Sequence, residues 1–394
     1  MEKIGKYITG YIKGKTPKKL SNIELPDNLP YLSPDYLRGV SAPELYAKKD
    51  AKTIVIDDGE VIVLWDGSNA GEILISKKGI LASTMTMLKF DETKINKTYF
   101  GYSFQNLEYI LKAKTAGSGI PHADKGVIGK LEFYKPSLPE QSAIAAILSK
   151  VDEAIVAVQN SIAAAERLKK SLMQNLLTGR MKPDGTLRKE DEFYMDEKFG
   201  KVPKGWEVKR LGSLFNIKAG GDLQENYFSP IKDEQHNYPV FSNSLDNKGL
   251  YGYTSNPRFF ADESITITGR GGVGHPEYRQ GPYDAIIRLI SLIPLQSDAV
   301  DCRYISYYIG HYVHFALEST GVPQLTCPKV FATKIILPTN KHEQESISKL
   351  IYNIDTEVEQ KQQRIATLER LKKSLMQNLL TGRVRVNVSN INKQ

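Results

Sequence analysis

Cysteine is almost absent. Cys302 and Cys327 are the only two in 394 residues. They cannot staple a chain of this length, so a packed core and a reducing, cytoplasmic setting are expected. Long apolar runs are absent too. None reaches the roughly 18 residues a membrane helix needs, and the opening MEKIGKYITGYIKGKTPKK has no apolar stretch suited to a signal peptide. The usual signatures of phosphate, cofactor and metal chemistry are missing or misspaced. GYIKGKT (10–16) has three residues between Gly10 and Gly14, one fewer than a phosphate loop requires. GRGGVG (269–274) departs from dinucleotide-binding spacing, and no acidic residue follows it in the right context. No Cys-x-x-Cys and no His-Glu-x-x-His occurs. DETK (91–94) has nuclease-type residues without an acidic partner ahead of it, and reads as a solvated turn.

What is present is an ordinary globular composition with a basic excess. Hydrophobic residues at 41% and charged residues at 25% suit a core-forming chain, and the length suggests about two or three domains. The formal net charge is +8 and the isoelectric point about 9.0. Such an excess points to a polyanion, because lysine and arginine displace condensed counterions from nucleic acid.

The strongest signal is an internal repeat. ERLKKSLMQNLLTGR occupies 166–180 and again 369–383, a shift of 203 positions. At that shift Glu140-Gln141 meets Glu343-Gln344, Asp152 meets Asp355 and Gln159 meets Gln362. Looser matches lie upstream: GSGIPHA (117–123) with STGVPQL (319–325), LWDGSNAGE (64–72) with ITGRGGVGH (267–275), and KIGKYITGYIKG (3–14) with RLGSLFNIKAGG (210–221). The chain is therefore two tandem units, each with a diverged front and a well-matched rear.

The rears read as long helices. Ile144, Leu148, Val151, Ile155, Val158, Ile162 and Ala165 alternate steps of four and three, as do Ile347, Ile351, Ile354, Val358, Lys361, Ile365 and Leu368. This is a heptad seam, interrupted once by Lys361. A further short step to Leu168 and Leu371, then to Leu172, Leu176 and Leu375, Leu379, suggests a stammer in the seam. Gly179 and Gly382 stand where helix C-caps are expected. A rod of roughly 57 Å follows from the helical rise, and its apolar stripe needs a partner, for which the twin helix is nearest.

The fronts read as compact α/β (α+β) domains. Short strand-like runs (52–56, 60–65, 72–76, 264–268, 285–293) alternate with turns, and helical patterns appear at 97–113 and 303–317. Residues 180–205 are charged, contain Pro and Gly, and read as a linker. Lys13, Lys15, Lys18 and Lys19, with Tyr7 and Tyr11 among them, are candidates for phosphate contact, as is Lys218. Gln224, Asn226, Asn243, Asn247 and Arg270 have side chains suited to base edges. Ser68 and Asn69 sit in the glycine turn that matches the turn of Arg270; His122, His275 and Gln324 complete the DNA-binding set.

VPKGWEVKRLGSLFNIKAGG (202–221) and YPVFSNSLDNKGLYGYTSNPRFFADESITITGRGGVG (238–274) resemble the opening and middle of a target recognition domain, and the Glu-Gln-led helix ending LMQNLLTGR resembles a spacer helix, twice. Nearly end to end, the chain resembles the DNA specificity subunit of a type I restriction–modification system. The resemblance implies recognition domains at 1–137 and 203–337, spacer helices at 138–180 and 338–383 paired as an antiparallel coiled coil, a linker at 181–202 and a polar tail at 384–394. Each domain would read half of a split double-stranded DNA site. Half-sites one helical turn apart, roughly 34 Å, lie within the span of the rod. The helices would dock two methyltransferase (modification) subunits and, in the full complex, restriction/translocase subunits. The chain itself would be non-catalytic, with no cofactor, because the methyl-donor and ATP sites belong to those partners. One departure stands out: the first unit begins at KIGKYITG without the Pro-x-Gly-Trp-Glu of 203–207. Two alternatives stay open: a coiled-coil scaffold without DNA readout, and the specificity module of a fused modification enzyme. The latter lacks its Asn-Pro-Pro-Tyr-type motif here.

Overall fold

The computed structural model describes residues 1–114, 121–315 and 324–387. The chain divides into two compact units, Met1–Asn160 with Gln363–Gln394, and Ser161–Gln362. Each unit therefore combines the front of one repeat with the closing helical segment of the other.

Two helices of 39 residues each, Leu138–Leu176 and Lys341–Leu379, carry the rears. Their halves pair antiparallel within each unit. In the first unit Glu140 meets Arg385 and Asp152 meets Lys372, so partner numbers fall as helix numbers rise. In the second unit Lys169 meets Asp355, while Leu172, Met173 and Leu176 cluster with Ile351 and Ile347. The expected seam is present. Ile144, Leu148, Val151, Val158, Ile347, Ile351 and Ile354 are buried, and Ile155, Ile162, Val358, Ile365 and Leu368 are half-buried.

The expected stammer is not there. Leu168 and Leu371 are 53% and 47% exposed. The rows run instead from Ala165 through Lys169 to Leu172 and Leu176, and from Leu368 through Lys372 to Leu375 and Leu379, so the heptad continues unbroken. A lysine can hold a seam position because its aliphatic stem packs while its ammonium reaches a partner at the edge. Here the partners form a duplicated triad. Lys372 Nζ lies 2.6 Å from Asp152 Oδ1, and Tyr102 donates its hydroxyl to Asp152 Oδ2 at 2.6 Å. Lys169 Nζ lies 2.5 Å from Asp355 Oδ1, and Tyr307 donates to Asp355 Oδ2 at 2.7 Å. Burial first, and the carboxylate bond second, push both tyrosine hydroxyls above their ordinary range. Lys361 stays on its own helix, paired with Glu357.

The Glu-Gln pair that opens each helix is a clasp. Gln141 Oε1 accepts the Asn96 N–H at 2.9 Å, and its Nε2 donates to Pro136 O at 2.9 Å. Gln344 Oε1 accepts the Asp301 N–H at 2.8 Å, and its Nε2 donates to Pro338 O at 2.8 Å. Asn96 and Asp301 are themselves N-caps of the front-domain helices Lys97–Gln105 and Cys302–Tyr312. Glu140, almost fully buried, accepts Arg385 through both oxygens at 2.8 and 2.7 Å. That bond holds its carboxyl below the usual range despite burial. Glu343 likewise accepts Arg188 and the Trp206 Nε1–H.

The closing LLTGR docks on a front domain. Leu379 and Leu380 join the core with Tyr99, Phe133 and Ile144, and Leu176 and Leu177 join the core with Trp206 and Tyr304. Burying each such leucine contributes roughly 1.5–3 kcal/mol. Gly179 (φ 67°) and Gly382 (φ 74°) turn the chain in the left-handed region, each under an aromatic ring. A Cβ on Gly179 would stand 3.1 Å from the Trp206 ring, and one on Gly382 2.8 Å from the Tyr134 ring. Tyr134 thus covers Gly382 in the first unit as Trp206 covers Gly179 in the second.

The fronts share one α/β plan, as expected. A four-stranded antiparallel sheet orders Ile8–Lys13, Met85–Phe90, Val61–Leu64 and Ile73–Ile75 in the first. Its counterpart orders Phe215–Ala219, Ile290–Pro294, Glu263–Ile267 and Pro276–Gln280. A second sheet in each contains one parallel pair, Asn28–Leu32 with Gly79–Leu81 and Tyr238–Phe241 with Asp284–Ala285.

Several boundaries differ from expectation. The helical pattern 97–113 splits into Lys97–Gln105 and Glu108–Lys114. The pattern at 303–317 is the helix Cys302–Tyr312, and residues 316 and 317 lie outside the described residues. The apolar run 285–293 is broken by a turn between Asp284–Ala285 and Ile290–Pro294. The segment read as linker carries a hairpin, Phe193–Asp196 with Gly200–Pro203, and brings the buried Arg188 to Glu343. Of the polar tail, Arg385 is bound at Glu140, and residues 388–394 lie outside the described residues. Both cysteines are free thiols, and burial pushes Cys302 up. No helix among the described residues is long and apolar enough to cross a membrane.

Asp301 offers a test of the clasp. Burial raises its carboxyl above the ordinary value, outweighing the Tyr304 N–H it accepts. A folded pKa above the unfolded one means stability is lost as pH rises from the unfolded value to the folded one. Asn96 fills the same place in the first unit, so Asp301→Asn keeps the cap and removes the charge. At pH 7 it is expected to raise the melting temperature. The gain should shrink toward pH 4. A gain of equal size at both pH values, or a loss at pH 7, would refute this account.

Candidate nucleic-acid interface

In each front, the end of the first sheet strand, the glycine turn, a second turn and one later segment converge. The approach of the strand end to the second turn requires a glycine. A Cβ on Gly14 would stand 2.0 Å from Ala82 O, and one on Gly220 2.3 Å from Ala285 O. Gly14 of GYIKGKT is thus a packing glycine between strand and turn.

In the first unit, Trp65 N–H donates to Thr84 O at 2.7 Å, Gly67 N–H to Pro121 O at 3.2 Å and Ala123 N–H to Trp65 O at 2.9 Å. Lys13 and His122 meet at Asp66: Lys13 Nζ at 3.0 Å and His122 Nδ1 at 2.6 Å. Partial burial works to raise the Asp66 carboxyl, but the bonds to His122 and Lys13 carry it below the usual range. Ser68 and Asn69 are exposed at the tip of the same turn, and Lys15, Lys18 and Lys19 are exposed along the segment after the strand. Lys125 lies 4.9 Å over the Tyr11 ring, placing another cation there. Tyr7 is buried, with its hydroxyl donated to Glu2 at 2.5 Å. DETK forms an exposed turn held by Asp91 on Thr93 and Lys94.

In the second unit, Arg270 Nη2 and Arg288 Nη1 both donate to Gln324 Oε1 at 3.3 Å. Leu325 N–H donates to Gly269 O at 3.0 Å and Ile287 N–H to Gly221 O at 3.1 Å. Asn243 is the staple: its Oδ1 accepts the Gly269 N–H at 2.7 Å, and its Nδ2 donates to Ile287 O. Gln224 is likewise engaged within the domain, with Asn256 and with the Asp284 carboxylate that Arg258 also holds. His275 caps the loop by donating its N–H to Thr268 Oγ1 at 2.9 Å, and its Nε2 meets Glu277 at 3.2 Å. Lys218 is exposed on its strand. Asn247 sits in the segment 246–249 in left-handed backbone. Behind that segment lies Arg279, buried, stacked 3.7 Å over Phe241 and donating to Lys248 O at 2.8 Å. Burial lowers its guanidinium to about 10.

The structure thus brings together Lys13 with His122 and Arg270 with Gln324, and it commits Asn243 and Gln224 to internal bonds. Asp66 and Arg288 were missed by sequence reasoning. Asp66 opens the glycine turn 66–71 and could have been found there; Arg288 was hidden inside an apolar run.

Comparisons with known proteins give the family. The type I restriction modification DNA specificity domain matches the chain twice, over residues 4–167 and 203–370. The chain belongs to that family. Its relatives include the MjaVIII specificity subunit of a type I restriction enzyme from Methanocaldococcus jannaschii, 31% identical over 98% of this chain and 92% of that one. The MjaIX specificity subunit of the same organism is 24% identical over 98% and 89%. The fold is also that of a type I restriction–modification S subunit from M. genitalium, with TM-score 0.67 and 17% identity over 96% of this chain and 95% of that one. The chain is a specificity subunit of a type I restriction–modification system with two tandem recognition domains.

Asn243→Ala tests the staple. It leaves the Gly269 N–H and Ile287 O without their partner, at a cost of about 1–3 kcal/mol. Amide exchange at Gly269 and its neighbours should speed up markedly, with the rest of the second unit unchanged. Unaltered protection at Gly269 would show that the loop does not depend on Asn243.

Proposed function

We propose that this chain is the non-catalytic, cytoplasmic reader of a bipartite double-stranded DNA site, its first domain taking one half and its second domain the other. One observation supports this most. Two copies of one sheet framework carry different polar clusters at the same end, Lys13, Asp66 and His122 in one and Arg270, Arg288 and Gln324 in the other. A shared scaffold with different loops suits two half-sites of different sequence. Lysines position on phosphate, and arginine and amide side chains read bases.

The helices dock two methyltransferase subunits, one at each copy of the repeated segment, and restriction/translocase subunits join in the full complex. Support comes from residues that packing does not explain. Glu166, Arg167, Leu168, Lys170, Ser171 and Gln174 are exposed, as are their equals Glu369, Arg370, Leu371, Lys373, Ser374 and Gln377. Burial can dictate the leucines beneath, but identical exposed side chains point to one kind of partner met twice.

The decisive experiment is methylome sequencing of cells that carry the chain with its modification subunits. A bipartite motif should appear and vanish when the chain is deleted. Exchange of residues 203–337 for those of a relative should change one half only. Binding should also fall with salt, at a slope of about −0.9 in log K against log salt per phosphate contacted; a flat response would exclude a phosphate-bound reader.

Leu168→Asp combined with Leu371→Asp should weaken capture of the methyltransferase subunits by at least about tenfold, roughly 1.4 kcal/mol, while the melting temperature of the chain stays within a degree or two. Undiminished capture by the folded double variant would place the docking surface elsewhere.

A further inference from the structure

We propose that Arg288 reads a guanine in the half-site taken by the second domain, a step that rests on the DNA-reading role just proposed. Three observations converge on it.

The first is charge. Arg270 and Arg288 aim their guanidinium groups at one amide oxygen, Gln324 Oε1, 3.3 Å from each. Among the described residues neither has a carboxylate partner. An amide oxygen does not neutralise two cations, and each guanidinium keeps most of its five N–H donors free. In the first unit the equivalent cluster is balanced, since Lys13 and His122 both lean on Asp66. The second cluster, among the described residues, carries two cations on one neutral acceptor.

The second is backbone. Ile287 (φ 52°) and Arg288 (φ 61°) form the turn in left-handed conformation, while the matching turn of the first unit, at 82–84, holds no residue at positive φ. For a β-branched residue that conformation is a true outlier, and such strain persists where its surroundings enforce it. Here Asn243 enforces it through Ile287 O, and Gly221 O through the Ile287 N–H. Glycine would suit both positions without strain. The turn keeps side chains there instead, and Arg288 is exposed.

The third is chemistry. A paired-donor fork facing outward from a stapled turn matches the O6 and N7 acceptors that guanine presents in the major groove, the commonest specific contact an arginine makes. A phosphate would also satisfy the charge, but would not need a left-handed turn bonded to two other segments.

The test uses the full chain assembled with its modification subunits on a duplex DNA library, read out as methylation of each sequence. Arg288→Gly removes the side chain and suits the left-handed backbone, so folding is not at risk; Ile287→Gly relieves strain while leaving Arg288 in place. The parent assembly should select a guanine in the half-site that exchange of residues 203–337 assigns to the second domain. Arg288→Gly should lose discrimination at that one base by about tenfold to a hundredfold and leave the other half-site unchanged, and Ile287→Gly should retain the whole motif. Retention of the guanine by Arg288→Gly would overturn the proposal. So would an equal loss for all sequences, which would mark a phosphate contact. If the parent assembly selects no bipartite motif at all, the DNA-reading role itself fails, and this inference with it.

Discussion

Gln141 and Gln344 hold the molecule's parts in register. Each uses both ends of one buried amide: the oxygen receives the backbone N–H of a front-domain helix cap, and the nitrogen reaches a proline carbonyl just ahead of its own helix. A front cannot swing on its helix without leaving these groups unmade in a dry place, at about 1–3 kcal/mol for each. The neighbouring glutamates extend the same joint, since Glu140 and Glu343 receive arginines that lie beyond the helix ends, Arg385 and Arg188. Reading loops are useful only if their scaffold is fixed. Here the fixing is done by two residue types at one junction, repeated.

The letter-for-letter repeat then separates into distinct demands. Its leucines fill a front-domain core, its glycine turns left-handed beneath an aromatic ring, and its lysine completes the triad with an aspartate and a tyrosine. Those roles are met at both copies by the same atoms. Everything they do is independent of which turn stands at the far end of the sheet, so fronts can diverge while rears do not.

Much of this was legible in the chain, and the failures have physical causes. The seam was readable because isoleucine, leucine and valine recur at heptad spacing. It was misread at Leu168 because a lysine was not counted as a seam residue, although Lys169 and Lys372 pack by their stems and discharge their ammonium groups on Asp355 and Asp152. The glycine turns were readable, and the structure brings Arg270 and Gln324 together there. Asn243 and Gln224 were read as base contacts on side-chain type alone. Their amides suit backbone and carboxylate partners equally well, and only the fold decides which partner lies within reach. The hairpin at 193–203 was read as linker because its strands, FYMD and GKVP, are short, show no apolar alternation and include a glycine and a proline. Arg288 was invisible for the opposite reason: its neighbours are so β-prone that a turn among them was not expected.

That last failure carries the more general point. Local preference and final conformation disagree at Ile287 and Arg288, where β-branched and long side chains occupy left-handed backbone. A chain under no other demand would place glycine or asparagine there. The disagreement is sustained by bonds from Asn243 and Gly221, which belong to other segments. It is absent from the matching turn of the first unit, which shares the same sheet order and the same packing glycine. The strain therefore does not come from the scaffold. It belongs to what this one domain presents at its surface, next to two guanidinium groups that share a single neutral acceptor. Conformational cost and unbalanced charge, each unfavourable in the free chain, fall on the same few residues, and one ligand that accepts hydrogen bonds would offset both.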